Sequence, residues 1–417
     1  MNKKYDRLVV FPQQVIESYN DEYIELRDLR LKKISMYSYS LLNQKALMIG
    51  LVILWGTMQF WLYYTGGIRP AGDTGRYIGA AEILLTGHLP LTGKAMSYLA
   101  YDGIVAIFLG LEWGQEGVII FQVLISGIAA YTLYLLTAYL YDWRAGVVAA
   151  LLFISFPDIQ KWNYYILTES LFISTIIFTT YIVLTGKGWQ RIIVGGILVL
   201  LATFLRPNGF IVPMALSIYI LVWLWQNGKR RLVAGILVIA VIALAMASIW
   251  IGGMLSKERV LSHYIDGTVI WGHPESALSM PGQEPDCRQV KGSAIFEIAC
   301  FAAAKPLYMI ELAWMKLFYF FLLARPYYSV PHNAVIIFYL LPVYTLAVIA
   351  WYRGRKEFVE WAFPVMMIFL QAVVVAFTFA DWDSRHLQVV LPLIFIFASG
   401  SVAWLMDNLA SIREKQA

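Results

Sequence analysis

Arg191-Ile192-Ile193-Val194-Gly195-Gly196-Ile197-Leu198-Val199-Leu200-Leu201-Ala202-Thr203-Phe204-Leu205-Arg206 runs from one arginine to the next with no charge between them. Pro207-Asn208-Gly209 interrupts it, and a second apolar run follows to Gln226. A run of this length covers the roughly 30 Å of a hydrocarbon core at about 1.5 Å per helical residue. Two such runs joined by a proline-glycine corner read as a helical hairpin across a bilayer. A membrane barrel would instead alternate apolar and polar residues over segments of about ten.

The rest of the chain repeats the pattern. Of 417 residues 60% are hydrophobic and 14% charged, and the mean hydropathy is +0.65, outside the range of a soluble domain. Spanning helices are expected at 45–64, 116–140, 144–157, 164–184, 190–206, 208–226, 231–254, 332–351, 359–380 and 386–406. Two further apolar stretches, 96–111 with Asp102 and 306–325 with Glu311 and Lys316, carry charge well inside them and suit the interface. The expected fold class is therefore an all-α polytopic membrane protein of about ten transmembrane helices, twelve if both stretches cross.

Charge distribution fixes the expected sides. The net charge of +5 comes from short clusters between apolar runs, a pattern that reports orientation rather than nucleic-acid binding. With ten spans, Lys187 and Arg191, the Lys229-Arg230-Arg231 cluster, the Arg353, Arg355, Lys356 cluster and both termini all fall inside. The expected organisation is a cytoplasmic segment 1–44, a transmembrane domain 45–406 with outer loops 65–115 and 255–331, and a cytoplasmic tail 407–417. The first segment, mixed in charge, suits a solvated or surface-lying helix better than a targeting segment. Loop length invested on one face places the work on that face. Cys287 and Cys300 fall in the last outer loop, where an oxidising compartment permits a disulfide and two free thiols are the alternative.

Four places carry candidate chemistry. In Arg69-Pro70-Ala71-Gly72-Asp73-Thr74-Gly75-Arg76-Tyr77, Asp73 opens an amphipathic helix that Gly87 closes. It reads as an N-cap or, at the lip of an apolar protein, as a base for an attacking hydroxyl or amine. Glu169, in Thr168-Glu169-Ser170-Leu171, is an acid near the end of an apolar span, a functional candidate by default unless it pairs with a basic residue to pin two helices. Arg206 precedes Pro207, which disfavours helical geometry there and can aim its guanidinium at an anion; snorkelling is the alternative. Arg385, in Asp381-Trp382-Asp383-Ser384-Arg385-His386, is a second anion contact or an interfacial anchor. Tyr77, His88, Asn208 and His263 are candidate lining residues. The histidines are too scattered for a metal site, although Asp73 and Glu169 could share a divalent cation.

Gly72-Asp73-Thr74-Gly75-Arg76-Tyr77 with Gly87, Phe156-Pro157 followed by Thr168-Glu169-Ser170-Leu171, Leu205-Arg206-Pro207-Asn208-Gly209, and Arg385 through Pro392 together resemble the GT-C membrane glycosyltransferases, in the protein O-mannosyltransferase-like and lipid A aminoarabinose transferase-like branch. The resemblance covers most of 45–406. It implies a polyprenyl- or dolichyl-phosphate sugar donor, an inverting transfer to a glycan, lipid or protein acceptor, and no required cofactor. Asp73 maps to the base, Glu169 to the acid that positions substrates, and Arg206 to the donor-phosphate contact. The second acid is often aspartate in these relatives, and, in a further departure from them, no large soluble C-terminal domain is expected after the last span. A plasma (inner) membrane enzyme working on the outer face is the expected setting. A lipid-linked-substrate flippase and a non-catalytic subunit of a glycan-assembly complex remain the alternatives; no inverted repeat favours the first.

Overall fold

A computed structural model of the chain describes residues 44–69, 71–89, 93–239, 260–287, 294–353 and 358–416. The chain divides into two units, Met1–Ile53 and Leu54–Ala417. Of the first, 44–53 is described, as the opening of helix α1 (Gln44–Gly66). The expected segment 1–44 otherwise lies outside the described residues, as do Arg355, Lys356 and residues 240–254 of the expected span 231–254; residues 230–239 are helical (α10).

Among the described residues the second unit is built from helices joined by turns and loops, and its only β features are two isolated bridges, Arg69 with Tyr165 and Ile270 with Ala380. After α1 come α2 (Thr74–Leu85), α3 (Leu99–Gly110), α4 (Gly114–Leu140), α5 (Trp143–Ser155), the single turn α6 (Pro157–Gln160), α7 (Glu169–Thr185), α8 (Gly188–Leu205) and α9 (Ile211–Gln226). Beyond α10 lie α11 (Val260–Ile265), α12 (Ala294–Ala304), α13 (Pro306–Leu322), α14 (Val330–Arg353), α15 (Phe358–Phe377) and α16 (Arg385–Gln416).

Seven of the described helices are long and apolar enough to cross a membrane, eight if the pair Phe296–Ala304 and Pro306–Leu322, bent by 107°, counts as one. The stretches expected to span at 144–157 and 164–184 come out shorter, as α5 with 13 residues and α7 with 17. Pro157 is the reason. It ends α5 by forcing Phe156 into an extended conformation (φ −93°, ψ 101°), and residues 157–168 then fold as one helical turn, a 3-10 turn and a loop rather than as continued helix. The ambiguous stretch 96–111 forms a short apolar helix, Met96–Gly110, and 306–325 supplies the second arm of the bent pair.

Two helices form the centre. α16 is buried over 72% of its most apolar window, packs against α14, α5, α7 and α15, and keeps Val389, Val390, Leu391 and Leu393 fully enclosed. α7 has no exposed face: its buried residues run from Glu169 to Val183 around the whole circumference. Its hydroxyls stay within the helix, since Ser174, Thr175, Thr179 and Thr180 donate to the carbonyls of Ser170, Leu171, Thr175 and Ile176 four residues back. At the other end of the chain's local scale, Asp142 caps α5 by accepting from the Ala145 amide at 2.8 Å.

A closed amide network anchors the turn between α5 and α7. Gln160 Oε1 accepts from Gln59 (2.8 Å), Asn163 (3.2 Å) and Ser126 (3.3 Å), and its amide donates to the Phe153 carbonyl. Asn163 also donates to Gln59 Oε1 and accepts from Ser170 at 2.6 Å. Gln122 accepts from Tyr101 and donates to the carbonyls of Asn163 and Tyr165. Every amide group is used, which is what burial demands. Cys287 and Cys300 form a disulfide, so of the two alternatives the bridge is present.

Candidate functional site

The corner after α8 begins the site. Arg206 is extended (φ −162°, ψ 159°), as a residue before proline should be. The chain then folds back so tightly that a Cβ on Gly209 would lie 2.0 Å from the Ala202 carbonyl oxygen; only glycine fits. The fold-back turns Arg206 inward, 8% exposed, over the Phe172 ring at 5.6 Å and towards the start of α7.

There Glu169, 2% exposed, meets two arginines at once. Its Oε1 lies 3.3 Å from Arg206 Nη1 and 3.3 Å from Arg385 Nη1. Arg385 also forms a two-point pair with Asp381, Nε and Nη2 each at 3.0 Å. Burial would raise the Asp381 carboxyl, but Arg385, followed by His386, holds it below the usual carboxylate range. The Asp381 carbonyl takes a bond from buried Arg325 at 3.0 Å. The pairing of Glu169 with a basic residue, one of the two readings of that acid, is therefore present. It is incomplete as hydrogen bonding: Glu169 Oε2 and Arg206 Nη1 are buried without a hydrogen-bond partner. The 3.3 Å contact is close enough for charge attraction but misaligned as a hydrogen bond.

Beside this pair the polar atoms continue. Asn208 donates to Gln371 Oε1 at 3.1 Å, leaving Asn208 Oδ1 and Gln371 Nε2 unbonded, and His386 Nδ1 is unbonded too.

Asp73, on another element, is electrostatically coupled to the cluster through Arg385. It precedes α2 in the cap position, but its carboxylate makes no cap hydrogen bond, so the N-cap reading is corrected. The reason is backbone geometry: at φ −85°, ψ −12° Asp73 is itself helical, whereas a capping residue is extended. Gly87 closes α2 at φ +80° as expected. The side chain of Asp73 is 52% exposed and 3.8 Å from Arg76; its charge is felt at Arg385. Arg76 lies over the rings of Tyr98 (4.1 Å) and Tyr77 (4.5 Å). Tyr77 is enclosed by Tyr98 and Tyr101. Burial, then the nearby charge of Glu169, push its hydroxyl well above the ordinary tyrosine value, so it stays a neutral donor. An open groove of about 710 Å³, lined by Ile68, Arg69, Thr74, Leu109, Glu116 and Ile166 among others, adjoins Asp73 through Thr74.

Of the residues expected from the sequence, Asp73, Tyr77, Glu169, Arg206, Asn208 and Arg385 thus gather at one end of the bundle. His88 lies at the far end of α2, bonded to Thr86 at 3.0 Å. His263 packs edge-on against Trp271 and Phe379. Neither joins the cluster. Sequence reading assigned no role to Arg76, Asp381, Gln371 or His386. For Gln371 a signal existed: it is a lone amide in the apolar run Met367-Ile368-Phe369-Leu370-Gln371-Ala372-Val373, and such a group inside a membrane needs a reason. Among the described residues no three His, Cys, Asp or Glu side chains are grouped to hold a metal ion. A cation shared by Asp73 and Glu169 would have to compete with two arginines for Glu169. No protein-family model matches the chain, and no curated protein matches it.

Proposed function

We propose that the chain is an integral-membrane glycosyltransferase that takes a sugar from a polyprenyl-phosphate donor and passes it, with inversion, to a glycan, lipid or protein acceptor on the outer face of the plasma (inner) membrane. The observation that carries this reading is an uncapped, half-exposed carboxylate, Asp73, whose charge reaches Arg385, one of two buried arginines held by a single glutamate. The resemblance of the four sequence motifs to the GT-C enzymes agrees with it.

The roles follow from position. The donor phosphate meets Arg206 and Arg385, whose forks suit phosphate oxygens; Glu169 is the positioning residue that holds both guanidinium groups in place. The acceptor lies in the groove beside Asp73. Asp73 takes the proton of the acceptor hydroxyl or amine while its oxygen or nitrogen bonds to the anomeric carbon. The bond from that carbon to the phosphate oxygen breaks, and its electron pair leaves with the polyprenyl phosphate, where the arginines stabilise the developing charge. Because the phosphate is a good leaving group and the attack is from the opposite side, one base suffices.

The test uses purified wild type and Asp73→Asn with a panel of polyprenyl-phosphate sugars and acceptors, following donor by mass spectrometry. Wild type should release free polyprenyl phosphate, and the variant should lose about 10²- to 10⁴-fold of the rate with an unchanged melting temperature. Equal turnover by both removes Asp73 as base. A donor that crosses the bilayer intact would favour a flippase instead.

A further inference from the structure

We propose that the Asn208–Gln371 amide pair, with His386, is a subsite that reads hydroxyl groups of an uncharged sugar; this rests on the glycosyltransferase reading for where the sugar sits. Five polar atoms are buried here without a bond: Glu169 Oε2, Arg206 Nη1, Asn208 Oδ1, Gln371 Nε2 and His386 Nδ1. They come from four elements, namely the start of α7, the corner after α8, the middle of α15 and the start of α16. Glu169 touches Arg206 at 3.3 Å, Asn208 is two residues on and bonds Gln371 at 3.1 Å, and His386 lies within the field of Arg206. Contact, sequence adjacency and charge thus link the five residues to one another from Glu169 through Arg206 to Asn208, Gln371 and His386. Leaving a buried polar atom unbonded is costly, so five together need an explanation, and a ligand supplies one.

The mixture of donors and acceptors identifies that ligand. A site for phosphate alone presents donors only, because acceptor oxygens repel it. Here Asn208 Oδ1 and Glu169 Oε2 are acceptors set among the donors Arg206 Nη1 and Gln371 Nε2. Hydroxyl groups, each able to donate and to accept, answer such an alternation. The conclusion does not depend on how the two amides are oriented: one bond between them leaves one carbonyl and one NH₂ free in either orientation. A buried carboxylate and amide that bond to hydroxyls also reject analogues lacking them, because the orphaned groups would stay orphaned.

Gln371→Glu and Gln371→Met provide the test. Both approximate the volume of glutamine. The glutamate can still accept from Asn208 but puts a carboxylate oxygen in place of the free donor; the methionine loses both. Binding of bare polyprenyl phosphate and of polyprenyl phosphate carrying a neutral hexose is measured on the full chain in detergent. Both variants should weaken the hexose-bearing lipid about tenfold and leave the bare lipid unchanged. If the variants weaken both lipids equally, or if wild type holds both equally tightly, the subsite assignment is overturned. Sugar-dependent binding without any turnover would uphold the subsite and sink the transferase reading; binding of neither lipid would remove both.

Discussion

Two polar clusters lie six residues apart in sequence, at Asn163 and Glu169, and they are built on opposite plans. Around Asn163, Gln59, Gln122, Gln160 and Ser170 bond to one another until no amide group is left over. Around Glu169, a carboxylate, a guanidinium, two amides and an imidazole are equally enclosed, yet each keeps one atom unbonded. The first cluster holds α1, α4, α6 and α7 together at a non-helical turn. The second is polar beyond any structural need. A protein that satisfies buried amides so thoroughly in one place and leaves them open in the next is storing hydrogen-bonding capacity for something that arrives later.

This contrast can be broken experimentally, most severely in the closed cluster. Gln160→Leu strands Gln59 Nε2 and the Ser126 hydroxyl and takes one bond from Asn163. Each buried orphan costs about 1–3 kcal/mol, and the variant should lose its monodisperse profile in detergent or melt far below wild type. A wild-type melting curve would mean that the network does not carry the turn. In the open cluster, Glu169→Gln leaves Arg206 without its carboxylate and Arg385 with Asp381 alone. Breaking such a pair costs on the order of 3 kcal/mol. The double variant Glu169→Gln with Arg206→Gln should be more stable than the sum of the singles by at least about 1 kcal/mol, and simple additivity would show that the contact is incidental.

A smaller effect sharpens the boundary between the clusters. Asp102, 1% exposed with Oδ1 unbonded, is pushed by burial up to about 7, with Arg76 pulling the other way. Its folded value exceeds its unfolded one, so the folded state keeps the proton longer and loses stability as pH rises from about 4 to about 7. Asp102→Asn should therefore raise the melting temperature by an amount that grows over that window and is level above it; a pH-independent difference would place Asp102 in a polar setting. Smallest is Lys316→Met. The Lys316 ammonium is fully buried, lies 4.7 Å from the Tyr264 ring and has no hydrogen-bond partner, so an apolar side chain of similar length should be neutral to slightly stabilising, and a marked loss of stability would give the ammonium a structural role.

The charged half of the open cluster was legible in the sequence because charge is rare in such a chain: Glu169 and Arg206 stand out at the ends of apolar runs, Asp73 and Arg385 fall in short polar stretches between them, and Pro207 predicted the extended geometry of Arg206. The amide half was not. Gln371 meets Asn208 across 163 residues, and Gln59 meets Gln160 across 101; no local pattern encodes such pairings. The same limit applies to helices. Apolar length marked α1, α4, α8, α9 and α14–α16 as spans, but α5 and α7 were read too long, since hydropathy does not register that Pro157 releases a dozen residues into turns. Arg76 sat inside the quoted motif without a role because the Tyr98 ring it lies over is 22 residues away in sequence.

The hydroxyl ladder of α7 reverses a usual expectation about which positions tolerate change. Enclosed polar side chains are ordinarily the least replaceable residues in a protein, because removing one abandons its partner. Ser174, Thr175, Thr179 and Thr180 bond only to carbonyls of their own helix, and those carbonyls already accept from the helical backbone. Alanine or valine at these positions abandons nothing. Replacement along this enclosed helix is thus constrained by shape rather than by polarity, and alanine or valine at these four positions should leave the melting temperature close to wild type, unlike loss of the Glu169 carboxylate at its mouth.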